Sequence, residues 1–177
     1  MPFNILMTHC LENKTSWNDS SKSPFISIKP ENNEKILFFS IDSDSETEHK
    51  YKFRKHYGLI GKNICDLIIY YVDFDRDIRR FIFTEIKGKE LDHAHTQLET
   101  TCSAVINHPD FKTFCESGCN KLVEIWLLTV SDSVKPSVMN SKVKKSKRNV
   151  AHNVQYGGQL PQIKDIKPSD FDRVIRA

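Results

Sequence analysis

At 177 residues the chain is long enough for one domain with a real core and short appendages. Its 38% hydrophobic and 28% charged residues exclude a disordered tail and describe an ordinary soluble globular protein, and no apolar run approaches the ~18 residues of a transmembrane helix. The net charge of +3 is too small by itself to require an anionic partner, and the opening "MPFNILMTHCLENKTSW" lacks the basic-then-apolar order of a signal peptide, so a cytoplasmic protein with no membrane attachment is expected.

Residues 11–24, "LENKTSWNDSSKSP", are polar and rich in turn formers, and the first 24 residues read as a segment that is mostly loop. Phe25 to Ile28 alternates, "PENN" has turn chemistry and Ile36 to Ile41 is apolar and aromatic, which predicts a β-hairpin. "DSDSETEHKYKFRKHYG" is acidic and then basic, a short helix or a solvated connection. "ICDLIIYYV" is a continuous β-branched and aromatic run of strand length, and "DFDRDIRR" supplies its turn. "FIFTEIKG" is the next strand. Alternation puts Phe81, Phe83, Glu85 and Lys87 on one face and Ile82, Thr84 and Ile86 on the other. From about Glu90 to Ile106 the residues Leu91, Ala94, Leu98, Cys102 and Val105 recur at helical intervals, and "HPD" ends that helix. "KLVEIWLLTV" is a further buried strand, with Trp126 in the core, and "SVMNSKVKKSKRNVAH" is a basic helix. No internal repeat is present. The order predicts an α/β domain with a central mixed sheet flanked by helices over residues 25–160, followed by a tail over 161–177.

The five cysteines, Cys10, Cys65, Cys102, Cys115 and Cys119, are odd in number and scattered, which argues for buried thiols rather than a disulfide framework. "CESGC", with Cys115, Cys119 and the upstream His108, is the nearest approach to a zinc signature. It lacks a fourth ligand and a tight knuckle, so zinc is not expected there.

Chemistry concentrates where strand, glycine and helix meet. Glu85 and Lys87 share a face at the end of an apolar strand, and Asp66, opening the preceding antiparallel strand, is positioned to lie across from Glu85. Two carboxylates so close repel and need a cation between them, and hard oxygen ligands suit magnesium or manganese. An ammonium beside such a metal can orient the attacking water and offset charge on a phosphate in reaction. The reaction that fits is phosphodiester hydrolysis.

At these residues the sequence resembles the PD-(D/E)xK nuclease superfamily, and within it the RecB-like branch. The superfamily places an aspartate at the start of one strand and (D/E)-x-K on the next, as in "CDLII" with Asp66 and "EIK" with Glu85 and Lys87. The resemblance implies a restriction-endonuclease-like core, with Asp66, Glu85 and the intervening Ile86 as metal ligands. Lys87 would assist the water, and Gln97 of "HTQL" would support the site. It departs from the pattern at Cys65, where proline is usual, and at Thr101, where the RecB-like branch places tyrosine. A further acidic ligand is common in the superfamily, and Glu46 and Glu48 are the nearest candidates. His93 and His95, in the first turn of the helix, are expected on the surface.

"SKVKKSKRN" carries Lys142, Lys144, Lys145, Lys147 and Arg148 with no acid among them, as neutralising a nucleic-acid backbone requires. A nuclear-import signal or a solvated face has the same composition. The expectation is therefore a small Mg2+- or Mn2+-dependent nuclease acting on DNA rather than RNA, with a homodimer or a partner protein supplying specificity. A catalytically silent nuclease-like domain that binds nucleic acid or protein is the alternative, and an antitoxin-like inhibitor whose charges serve a protein interface is a third.

Overall fold

The computed structural model describes residues 2–17, 25–42, 48–87, 91–116, 123–133, 141–154 and 156–177. A first helix, α1 (Pro2–His9), leads into two short strands, β1 (Ser16–Trp17) and β2 (Ile26–Ser27), which pair with each other. The sheet begins with β3 (Glu34–Ser40). After α2 (Tyr51–His56), strands β4 (Leu67–Asp73) and β5 (Ile78–Ile86) complete an antiparallel meander. Helices α3 (Leu91–Ile106) and α4 (Pro109–Glu116) carry the chain back to β6 (Glu124–Val130), parallel to β5, and α5 (Ser141–Asn153) carries it to β7 (Gln162–Ile166), parallel to β6. A 3-10 turn and α6 (Phe171–Arg176) finish it. The strand order β3-β4-β5-β6-β7 makes a five-stranded mixed sheet with helices on both faces, the α/β class that the apolar runs predict.

Alternation within each strand feeds two cores. One face gathers Ile68, Phe81, Phe83, Ile125 and Leu127 under Leu98, Cys102 and Val105 of α3, Phe111 of α4 and Val150 of α5. The other gathers Leu67, Ile69, Ile82, Ile86, Trp126 and Leu128 under Phe171, Val174 and Ile175. Each such side chain contributes about 1.5–3 kcal/mol by leaving water. Cys10, Cys65 and Cys102 are buried free thiols, as expected, and Cys119 lies outside the described residues.

Three expectations, the hairpin, the loop over the first 24 residues and the C-terminal tail, are corrected, while "HPD" ends α3 as expected. The hairpin over 25–41 does not form: β3 pairs with β4 along its whole length, because "ILFFS" finds a longer apolar partner there, while β2 pairs with β1 and packs Ile26 and Ile28 onto the face lined by Phe38. The "HPD" that stops α3 also starts α4, with proline at the first helical position, where its missing N–H costs nothing. Residues 161–177 are no tail but the fifth strand and a helix of the second core, and the first 24 residues contribute a helix with Leu6 in the first core. "QIKDI" escapes a hydrophobic scan because an edge strand needs few apolar letters.

The C-terminal helix is stapled to the first sheet strand. Arg176 donates from Nε and from its second terminal nitrogen to the two carboxylate oxygens of Glu34, at 2.8 and 2.9 Å, and the Tyr71 hydroxyl donates to the same carboxylate at 2.8 Å. The guanidinium holds the Glu34 carboxyl down from 4.5 to about 2. A depressed acid stabilises the fold above its unfolded value and loses that contribution as pH falls toward the folded one. The melting temperature should therefore drop between about pH 4.5 and pH 2, and Glu34→Gln should start lower at neutral pH and fall less steeply over that window. Parallel curves for the two proteins would remove Glu34 from the acid response.

Candidate active site

The β4–β5 register pairs Leu67 with Thr84, so one step further Asp66 stands across from Glu85. Both side chains point to the face that holds Ile68, Phe81 and Phe83, beneath α3. Asp66 is 4% exposed and Glu85 0%. The two strands exchange hydrogen bonds through these groups: the Asp66 N–H donates to Glu85 Oε2 at 3.1 Å, and the Ile86 N–H donates to Asp66 Oδ2 at 2.8 Å. Lys87, 23% exposed, brings its ammonium to 2.8 Å from Glu85 Oε1, a charge contact rather than an aligned hydrogen bond. Asp66, Glu85 and Lys87 thus come together as the sequence predicts, and Ile86 joins them through its main chain.

Helix α3 locks the aspartate's approach. The Gln97 amide donates to the Ile64 carbonyl at 2.9 Å, and the Thr101 hydroxyl accepts the Cys65 N–H at 2.9 Å while donating to the Gln97 carbonyl at 2.8 Å. Gln97 therefore positions the segment that carries Asp66, and Thr101 gives a threonine a bond in place of the expected tyrosine. Burial pushes the Cys65 thiol far up, reinforced by the neighbouring Glu85 charge, so it stays protonated beside the carboxylates.

The register continues the row. Glu85 pairs with Thr129, and Thr129 with Asp165 on β7, and parallel neighbours in register share a face. Asp165, its side chain 6% exposed, takes His95 Nε2 at 2.9 Å on one oxygen and the Lys147 ammonium at 2.7 Å on the other, and His95 Nδ1 meets the Ser146 hydroxyl at 3.2 Å. Burial raises the Asp165 carboxyl, but the bonds from His95 and Lys147 outweigh it and leave a net lowering. Two strand spacings of ~4.8 Å place this station about 10 Å from Glu85, too far to share a cation with it.

Several placements differ from expectation. His95 is buried against Asp165 rather than on the surface, while His93 is exposed. Lys147 turns inward on the face of α5 that carries Val150, in line with Val154 just past its end, whereas Lys144, Lys145 and Arg148 are exposed and free of that role; the Lys142 side chain lies outside the described residues. Glu48 is exposed, and Glu46 lies outside the described residues. Asp165 lies in the stretch expected to be a tail, and its one signal in the sequence is the period-two spacing of Ile163 and Asp165 in "QIKDI". Cys115 packs with the aromatic side of the first core.

Parallel strands bind ligands outside their carboxyl ends, and the row of Asp66, Glu85, Thr129 and Asp165 lies at that end. An open groove of about 300 Å3 beside Arg80, Trp126 and Lys164 lies at the opposite end, where the strands begin. No helix among the described residues is long and apolar enough to cross a membrane. Comparison with protein-family models, curated proteins and solved structures finds no match for the chain.

Proposed function

We propose that the chain is a metal-dependent nuclease that hydrolyses phosphodiester bonds, with DNA favoured over RNA. One observation carries this reading: two buried carboxylates, Asp66 and Glu85, face each other at the carboxyl end of the sheet with the Lys87 ammonium against Glu85. The donor set consists of oxygens alone, which suits Mg2+ or Mn2+ over softer ions. Asp66, Glu85 and the main chain of Ile86 would hold the ion, and when bound it supplies charge neutralisation and an activated water. The residues of the chain do the remainder. Lys87, balancing Glu85 in the absence of phosphate, reaches a scissile oxygen by turning from that carboxylate. Gln97 and Thr101 keep the strand start that bears Asp66 in register. Exposed Lys144, Lys145 and Arg148 on α5 neutralise the backbone beyond the scissile bond. A homodimer or a partner protein would supply specificity, since binding the backbone reads no sequence.

The second reading is a nuclease-like domain that binds nucleic acid or a protein without cutting, and the direct pairing of Lys87 with Glu85 favours it, because both charges are already matched. Incubating the protein with plasmid, single-stranded DNA and RNA, with Mg2+, Mn2+ or chelator, separates the two. Metal-dependent loss of DNA is expected, and no cleavage of any substrate under any metal would leave the binding reading. In the same preparation the triple variant Lys144→Ala, Lys145→Ala, Arg148→Ala should flatten the salt dependence of duplex binding by up to ~2.7 in log–log slope, at ~0.9 per contact. An unchanged slope would take α5 out of the interface.

A further inference from the structure

Away from the carboxylate pair, α2 ends on His56, and the α3–α4 junction supplies His108 and Asp110. Their ligand atoms all lie within 4.8 Å of one another, and each side chain is partly open to solvent. His56 Nε2 is 3.0 Å from Asp110 Oδ2, and His108 Nδ1 is 3.8 Å from the same oxygen. The two imidazole rings lie 4.6 Å apart, and Tyr57 packs edge-on against both, at 4.8 and 5.0 Å, which fixes their planes.

The accepting nitrogen of His108 is fixed by its neighbour. The Asp110 N–H donates to His108 Nδ1 at 3.3 Å, so Nδ1 carries the lone pair. Its other near neighbour, Asp110 Oδ2, is also an acceptor. Asp110 Oδ2 in turn accepts from His56 Nε2, so a cation at this point would take over contacts that N–H groups hold in its absence. Bonds of 2.0–2.1 Å to a tetrahedral zinc separate its ligands by about 3.3 Å. The observed 3.0 and 3.8 Å fall on either side of that value.

We propose that His56, His108 and Asp110 form a binding site for a divalent transition cation of the zinc class, separate from the carboxylate pair and independent of the nuclease reading. Two imidazoles and one carboxylate suit Zn2+ and exclude Mg2+ as the preferred ion. Three protein ligands leave the fourth position to water on the open side. The ion ties the end of α2 to the start of α4, elements 54 positions apart at His56 and Asp110. Cys115 is not in this cluster, so His108 takes a role that the cysteine spacing does not suggest.

The test uses the full-length, untagged, chelator-treated protein titrated with ZnCl2 by calorimetry, and with Co2+ as a spectroscopic probe. One equivalent of zinc should bind, and the cobalt form should show visible ligand-field bands without a thiolate charge-transfer band. His56→Ala and His108→Ala should each weaken zinc binding by at least ~10-fold, the lower end of what even a ligand's supporting partner is worth. Asp110→Asn, which keeps the shape of the side chain, should weaken it too and guards against a folding failure in the histidine variants. Asp66→Asn should leave zinc binding intact. The proposal is overturned by absent binding, by a thiolate band, by undiminished affinity in the folded ligand variants, or by loss of zinc in Asp66→Asn.

Discussion

Asp66→Asn and Glu85→Gln should each reduce metal-dependent cleavage by on the order of 10³-fold or more while leaving the metal-free melting temperature within ~4 °C of the wild type. The asymmetry follows from what each carboxylate touches. An asparagine at 66 still offers an oxygen to the Ile86 N–H, and a glutamine at 85 still offers one to the Asp66 N–H, so both cross-strand bonds survive. Charge is what disappears. Removing one of two facing buried carboxylates lowers their mutual repulsion, and Lys87, released from Glu85, is exposed enough to reach water. Lys87→Ala should lose cleavage by ~10²–10³-fold and keep its metal, because both carboxylates remain. In the wild type, Mg2+ or Mn2+ at a hundred times its Kd should add ~2.7 kcal/mol of stability by mass action. That gain should persist in Lys87→Ala and shrink in both carboxylate variants. Should the carboxylate variants melt far lower and the wild type ignore metal, these charges form a structural network and the nuclease reading fails.

Phe111→Ala should cost ~3–5 kcal/mol of folding stability. Phe111 is fully buried at the start of α4, with its ring edge-on to Phe81 at 5.3 Å and to Tyr156 at 5.3 Å, and tilted against Phe114 at 6.1 Å. Truncation leaves a cavity between helix and sheet that rigid strand backbones cannot close, and removes two favourable ring pairs besides. Phe111→Leu, which refills most of the volume, should cost far less. Urea denaturation measures both, and a loss below ~1 kcal/mol for the alanine would show that α4 is not anchored by this ring. Because Phe81 lies four residues before Glu85 on β5, cleavage per folded molecule should be unchanged. That separates a packing residue from one at the site.

What the sequence made legible follows from the size of the signals. Strands β4, β5 and β6 are long apolar runs, α3 has an unbroken stripe, and period-two alternation suffices to put Asp66 and Glu85 on one face. Nothing comparable marks β7, whose Asp165 sits on an edge strand among Gln162 and Lys164. Lys147 looked like its neighbours because composition does not say where a side chain points. The helical spacing did: Val150 and Val154, three and seven residues on, are in the core and draw position 147 to the same side. His95 departs from its expected surface position for a related reason. It is adjacent to buried Ala94, and its partner Asp165 lies 70 residues away, a pairing that local periodicity does not encode.

The Arg176–Glu34 staple spans 142 positions, and that separation governs the order in which the molecule can assemble. The β4–β5 hairpin closes a short turn and can form early, whereas the pairing of β3 across α2 and the parallel additions β6 and β7 require longer excursions, which slows them. The second core waits longest. During synthesis Ile82, Ile86 and Trp126 have no cover from Phe171, Val174 and Ile175 until α6 emerges, so a nascent chain carries that part of an apolar sheet face uncovered until then. Chaperone dependence and losses to aggregation should therefore track the synthesis of the segment from Phe171 to Ile175, and a stop codon ahead of Phe171 would leave that face without its helix.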